Sequence, residues 1–331
     1  PDEYGGVPDL LYRNRGDGTF ADVSVAAGIA SPAGKGLGVV AWDYDRDGDQ
    51  DVFVANDGVA NHMFRNQGDG RFVNVALEVG LAYNLRGEAE AGMGVDLGDY
   101  DADGDLDLFV TNFSRESNTL YRSEGGRFQD VTATTGLVEP SWNSLGFGTG
   151  FLDYDGDGDL DLFVANGHVL DRIALFQPGI EYEQAPQLFR NDGRGHYTDL
   201  SASSGTFFGR RQLGRGAAFG DYDGDGDLDV LVTHCGGAAA LLRNDSGDHT
   251  WSMVELVGTN GNRDAVGAEV RLFHGDRMQV RQVRSGSSYL SAGDMRLHFG
   301  LDRSERVERV EVSWPAGQRQ AFEGLPANAI L

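Results

Sequence analysis

The chain has 331 residues, with 27 Lys and Arg against 52 Asp and Glu, a formal net charge of −25. Its hydrophobic share of 40% is enough for a packed core rather than wholesale disorder. No run nears the ~18 apolar residues of a membrane span, the acidic balance excludes a basic nucleic-acid face, and the 49 glycines lack the Gly-X-Y period of collagen.

No apolar leader with a small-residue cleavage site opens the chain, so it has been removed or the chain is incomplete. The first motif is Leu11-Tyr-Arg-Asn-Arg-Gly-Asp-Gly-Thr-Phe20. Gly-Asp-Gly between two aromatic-ended runs predicts a tight β-hairpin. Next comes Gly36-Leu-Gly38, seven residues ahead of an acidic nonapeptide, Asp43-Tyr-Asp45-Arg-Asp47-Gly48-Asp49-Gln-Asp51. A phosphate-cradling glycine loop would need a following helix, and none is predicted, so the glycines are read as sites of close backbone packing. Val52-Phe-Val then reads as a buried strand, and Met63-Phe-Arg-Asn-Gln-Gly-Asp-Gly-Arg-Phe72 repeats the hairpin.

The same series returns along the chain. Gly92 and Gly94 precede Asp99, Asp101, Asp103, Asp105 and Asp107, and Leu120–Phe128 is the hairpin. Gly146 and Gly148 precede Asp153, Asp155, Asp157, Asp159 and Asp161, and Leu188–Tyr197 is the hairpin. Gly214 and Gly216 precede Asp221, Asp223, Asp225, Asp227 and Asp229, followed by a shortened Leu242-Arg-Asn-Asp245. The loops begin at 43, 99, 153 and 221, intervals of 56, 54 and 68 residues, the mark of a propeller, solenoid or array.

Twenty of the carboxylates lie in these four loops, so the charge is local. Five carboxylates within nine residues repel one another unless a cation neutralises them. Hard oxygen donors suit Ca²⁺, whereas zinc or iron would call for His or Cys, which the loops lack. The spacing is similar to the first half of an EF-hand loop, with a closing carboxylate at position 9 and a strand where a helix would stand. It assigns side-chain ligation to positions 1, 3, 5 and 9 (Asp43, Asp45, Asp47 and Asp51 in the first loop) and main-chain ligation to position 7 (Asp49). Solvated Asp-Gly turns are the bland alternative for one loop, and fourfold repetition argues against it.

Each repeat thus offers four strands: the Gly-x-Gly strand, the strand after the acidic loop, and both hairpin arms. That describes an all-β fold, a propeller of four-stranded blades. Residues 1–30 supply a hairpin alone, and the last blade lacks a clear fourth strand. Half a blade plus four suggests a chain that begins inside a longer protein, or a hairpin that completes a small ring with the carboxyl end.

From Trp251 the loops stop, and alternating runs such as Val307–Trp314 predict a small β-sandwich-like domain, dividing the chain into 1–250 and 251–331. Cys235 has no partner for an internal disulfide and is read as a small buried residue. His298, Arg263 and Asp264 could form a catalytic cluster, but a turn at 263–264 and a packed strand histidine is the favoured reading. The third interval is longest, with its extra material between Gly167 and Ala185. His168, Asp171, Phe176, Glu181 and Tyr182 there suit either a binding surface or a packed decoration.

Residues 9–245 resemble the FG-GAP/VCBS repeats of calcium-binding propellers such as those of integrin α chains. Asn262–Ala268, Gly286–Leu290, Leu297–Leu301 and Trp314–Gly317 resemble the ASPIC/UnbV domain. Repeats followed by that domain resemble the cartilage-acidic-protein-like (CRTAC) family. The resemblance implies Ca²⁺ between the first two strands of each blade and a secreted, periplasmic or cell-surface location. The leading expectation is a calcium-stabilised extracellular binding or adhesion module without catalysis, holding about four structural Ca²⁺ and meeting a protein or glycan partner. A secreted or biosynthetic enzyme, with its site at the propeller axis or domain interface, is the rival, although no Ser/His/Asp signature or nucleophile elbow is present. A subunit of a larger surface assembly is the third reading.

Overall fold

Positive φ at Gly16 and Gly18 lets residues 15–19 turn back tightly, joining β1 (Tyr12–Asn14) to β2 (Phe20–Asp22). In the computed structural model, which describes residues 5–30, 34–247, 249–259 and 261–331, four antiparallel sheets follow this hairpin. The first is β3 (Gly36–Trp42), β4 (Asp51–Asn56), β5 (His62–Asn66) and β6 (Phe72–Asn74), in that spatial order. The second holds β7 (Val95–Gly98), β8 (Asp107–Val110), β9 (Thr119–Glu124) and β10 (Arg127–Asp130). The third holds β11 (Gly146–Leu152), β12 (Asp161–Asn166), β13 (Gln187–Asn191) and β14 (Tyr197–Asp199). The fourth has three strands, β15 (Gly214–Gly220), β16 (Asp229–His234) and β17 (Ala240–Leu242), as its weak last hairpin foretold. The all-β class and the blade-like sheets are those the repeats predict.

In the first three sheets the second strand reads as a continuous apolar run because both its faces are covered, whereas Leu231 on β16 is exposed. Phe53, Phe109 and Phe163 on β4, β8 and β12 are fully buried. Each such side chain contributes roughly 1.5–3 kcal/mol through burial.

The Gly-x-Gly pairs are a steric requirement of sheet stacking. A Cβ added at Gly38 would lie 2.2 Å from the carbonyl oxygen of Met93, and one at Gly94 only 1.9 Å from that of Phe147. At Gly148 it would lie 2.4 Å from the Ala217 nitrogen. Each of these second glycines therefore presses on the backbone at the next sheet's first strand or, for Gly38, just ahead of it. At Gly216 the neighbour is instead Ser291 Oγ, at 2.7 Å, from the carboxyl-terminal part.

That part forms two sheets. β18 (Trp251–Val254) pairs with β21 (Leu297–Gly300) and, in parallel, with β24 (Ala329–Ile330). The other sheet runs β20 (Arg277–Gln282), β19 (Glu269–His274), β22 (Arg306–Ser313) and β23 (Arg319–Pro326). Val254 and Phe299 from the first sheet pack with Val270, Leu272, Val310 and Val312 from the second, the expected sandwich. Residues 286–294 leave this sandwich and run along the first strands of the propeller sheets. Ser288 exchanges backbone hydrogen bonds with Val95, at 2.6 and 3.1 Å, and its Oγ accepts the Thr149 N–H at 2.8 Å.

Two expectations change. Cys235 is exposed rather than buried, because it stands just past the end of β16 in the turn toward β17. The 167–185 insertion is half anchored: His168 is fully buried, with Nε2 3.2 Å from Ser114 Oγ and Nδ1 accepting the Leu170 N–H at 3.0 Å. Ile173 and Ile180 of the insertion are buried too, while Leu175 and Phe176 are exposed. Among the described residues, no helix is long and apolar enough to cross a membrane.

Candidate metal centre

Each acidic loop joins the first and second strands of its sheet, so the sheet itself draws the loop's two ends together. Within the loop, the residues at positions 4 and 6 take left-handed backbone conformations. Position 6 is always Gly, with φ from 89° to 98° at Gly48, Gly104, Gly158 and Gly226. Position 4 is Gly156 or Gly224 in two loops but Arg46 (φ 60°) and Ala102 (φ 57°) in the others. These turns fold the carboxylates inward.

In the first three loops the residues at positions 1, 3 and 9 converge: Asp43, Asp45 and Asp51; Asp99, Asp101 and Asp107; Asp153, Asp155 and Asp161. In the fourth, Asp221, Asp223 and Asp225 do so. One carboxylate oxygen from each member of a trio lies within 4.8 Å of the others. The position 5 residues Asp47, Asp103 and Asp157 stand outside these trios, as does Asp229 of the fourth loop. At position 5, Oδ1 accepts the N–H of position 7, at 2.9 Å in Asp47, Asp103 and Asp157 and 3.0 Å in Asp225. The position 7 side chains point elsewhere. Asp105 meets Arg46 at 2.5 Å, Asp159 pairs with Arg277, and Asp227 lies 2.8 Å from His249 Nε2. Asp49 lies beside Gly68.

Position 9 does more than close the loop. Asp107 Oδ1 accepts the Ser123 N–H at 2.7 Å, and Oδ2 accepts that of Tyr100 at 3.1 Å. Asp51 does the same with Asn66 and Tyr44, Asp161 with Asn191 and Tyr154, and Asp229 with Asn244 and Tyr222. This carboxylate therefore bolts the acidic loop to the third strand. The donor there is the residue after the arginine of the hairpin motif (Asn66, Ser123, Asn191 or Asn244), and that arginine faces position 3. Arg190 Nε lies 3.3 Å from Asp155 and Arg243 Nη1 4.0 Å from Asp223. Sequence reasoning took this pair only as part of the hairpin motif; its recurrence after every acidic loop, 15, 16, 30 and 15 residues beyond position 9, was the signal of a partner.

Burial is what most perturbs these acids. It pushes Asp51, Asp99 and Asp153 up to about 7 and Asp107 to about 9, with neighbouring carboxylates adding to the rise. Burial likewise raises Asp161 well above the ordinary carboxylate range. In the second and third loops, Asp99, Asp101, Asp153 and Asp155 each bury an Oδ1 that has no hydrogen-bond partner. A buried carboxylate oxygen left unpaired costs free energy that only a proton or a cation can recover. Clustered, all-oxygen and irregular, the donor set fits a hard divalent cation, Ca²⁺ above Zn²⁺.

The other candidate cluster does not assemble. His298 is buried on β21 with Nε2 2.8 Å from the Gly226 carbonyl, and burial lowers its pKa to about 4. Arg263 and Asp264 are exposed, in a turn where Asn262 Oδ1 accepts the Asp264 N–H.

The FG-GAP-like repeat matches residues 5–54, 43–110, 99–164 and 169–232, and the ASPIC and UnbV description matches 258–331. The chain is 29% identical over 322 residues to cartilage acidic protein 1 of Homo sapiens and 30% identical to that of Mus musculus, each covering 94% of this chain. It spans about half the length of these relatives, 45% and 46%. Among solved structures, a lectin from Burkholderia pseudomallei aligns with 97% of this chain and 96% of its own, at a TM-score of 0.41 and 14% identity. By its repeats the chain belongs to the FG-GAP-like family, and like cartilage acidic protein 1 it is built of those repeats followed by an ASPIC and UnbV segment.

Proposed function

We propose that this chain is a calcium-stabilised extracellular binding module, organised as a repeat domain (1–250) and a carboxyl-terminal β domain (251–331), without catalytic chemistry of its own. The observation that carries the reading is the fourfold set of converging carboxylates, with buried and unpaired Oδ1 atoms in two of the sets. Positions 1, 3, 5 and 9 would supply carboxylate oxygens and position 7 a main-chain carbonyl. Bound Ca²⁺ supplies charge neutralisation. The loop's own residues do the rest, since position 5 holds the turn and position 9 ties it to the third strand.

The name of the curated relatives supports a place outside the cell, and we propose a protein or glycan as the partner met there. Ionisable residues do surround a cavity of about 120 Å³ between the carboxyl-terminal sheets and the loops. There Asp96 is neutralised by Arg284 at 2.9 Å, and His298 commits Nε2 to the Gly226 carbonyl. Asp96 and the Nε2 of His298 are thus held within the fold, while His298 Nδ1 is buried without a hydrogen-bond partner.

The test is a thermal melt of the purified chain with Ca²⁺ and with EDTA. Chelation is expected to lower Tm by more than about ten degrees, since each vacated site forfeits its linkage to folding. An unchanged Tm in protein verified metal-free would overturn the calcium reading.

A further inference from the structure

The four loops are equivalent in sequence but not in surroundings, and position 6 shows the difference. A Cβ built on Gly48 would meet open space. On Gly104 it would lie 3.0 Å from Met278 Cε, on Gly158 3.0 Å from Gln279 Nε2, and on Gly226 1.9 Å from Trp251 Nε1. The carboxyl-terminal sheets thus press on position 6 of the second, third and fourth loops, whereas in the first that position is open and Gln50, at position 8, lies beside Gly267.

The covering side chains reach main-chain carbonyls that a cation would not use. Arg277 Nη1 donates to the Asp157 carbonyl at 2.6 Å and its other arm pairs with Asp159. Asp302 donates its N–H to the Gly156 carbonyl at 2.9 Å, and His298 Nε2 lies 2.8 Å from that of Gly226. Arg296 Nη2 reaches the Asp221 carbonyl at 3.4 Å. Each contact fixes a peptide plane inside a loop whose carboxylates must converge.

Resting on the calcium reading above, we infer that His298, Arg277 and Arg296 are positioning residues for the cation sites, which therefore fall into two classes, three capped by residues 251–331 and one open. Partners outside the coordination sphere commonly tune metal affinity by about ten- to a hundredfold. Coupling is reciprocal, so cation binding at the capped loops also tightens the seat of the carboxyl-terminal sheets.

Tb³⁺ luminescence separates the classes. Trp251 stands against the fourth loop, while Trp42 immediately precedes Asp43 of the first. The emission lost in Trp251→Phe reports the fourth loop, and the emission that remains in Trp251→Phe and vanishes in Asp43→Asn reports the first. His298→Ala is expected to weaken Tb³⁺ at the fourth loop by about tenfold and to leave the first unchanged, with His298→Gln recovering most of the loss through its amide N–H. Equal weakening at both loops, or at neither, would overturn the inference. Should His298→Ala fail to fold, Arg277→Ala, a partly exposed side chain, is expected to weaken one of four Ca²⁺ sites by calorimetry, and four unchanged sites would overturn it. If the wild-type chain takes up neither ion, the calcium reading itself falls and this inference with it.

Discussion

Asp107 shows how much one carboxylate carries. Buried, with both oxygens taken by backbone N–H groups, it joins loop, second strand and third strand. Asp107→Asn keeps one acceptor and turns a donor toward an N–H. Such an unsatisfied buried group is expected to cost about 1–3 kcal/mol in urea unfolding, with or without Ca²⁺. Asp49→Asn, whose side chain stands outside the trio, is expected to change little in EDTA. Protons and cations compete at these residues. Folding raises Asp51, Asp99 and Asp153 to about 7 and Asp107 to about 9, so above the ordinary carboxylate range the folded metal-free chain holds protons that the unfolded chain has released. Its stability is therefore expected to be greatest at low pH and to fall as pH rises from about 4 through 7 to 9. Saturating Ca²⁺ replaces the proton and should flatten that fall, which melts at pH 5 and pH 8 in EDTA and in Ca²⁺ would read directly.

At the scale of elements, stacking depends on glycine where sheet backbones nearly touch. Gly94→Ala would place a methyl 1.9 Å from the Phe147 carbonyl oxygen and is expected to destabilise by about 1–3 kcal/mol. Gly209→Ala meets nothing within 4 Å and serves as the neutral control in the same denaturation series. These elements were legible in the sequence because they repeat: Gly-x-Gly, the acidic nonapeptide and the Gly-Asp-Gly hairpin recur in one order, so a pattern weak in one copy is decisive in four. What stayed hidden depends on contacts that no spacing encodes. The partnership of Arg190 with Asp155 needs the third strand's register, and the exposure of Cys235 turns on where β16 stops. Asp105, Asp159 and Asp227 at position 7 are alike in sequence, yet they meet Arg46, Arg277 and His249, partners 59, 118 and 22 residues away.

The whole molecule departs most from its composition in where its charge lies. Four divalent cations would carry the formal charge from −25 to −17, so Ca²⁺ is expected to slow migration toward the anode in native electrophoresis. Unchanged mobility across a Ca²⁺ titration would argue against uptake. The sandwich of residues 251–331 covers three of the acidic loops with Arg271, Arg277 and Arg296, and half-buried Arg281 lies nearby over the Phe299 ring. The consequence concerns how other molecules meet this one. A visitor diffusing in from solvent still meets a strongly negative protein, because the total of −25 already counts those arginines and four divalent cations would leave −17. Its encounter rate should therefore depend on ionic strength, salt slowing the approach of a basic visitor and easing that of an acidic one.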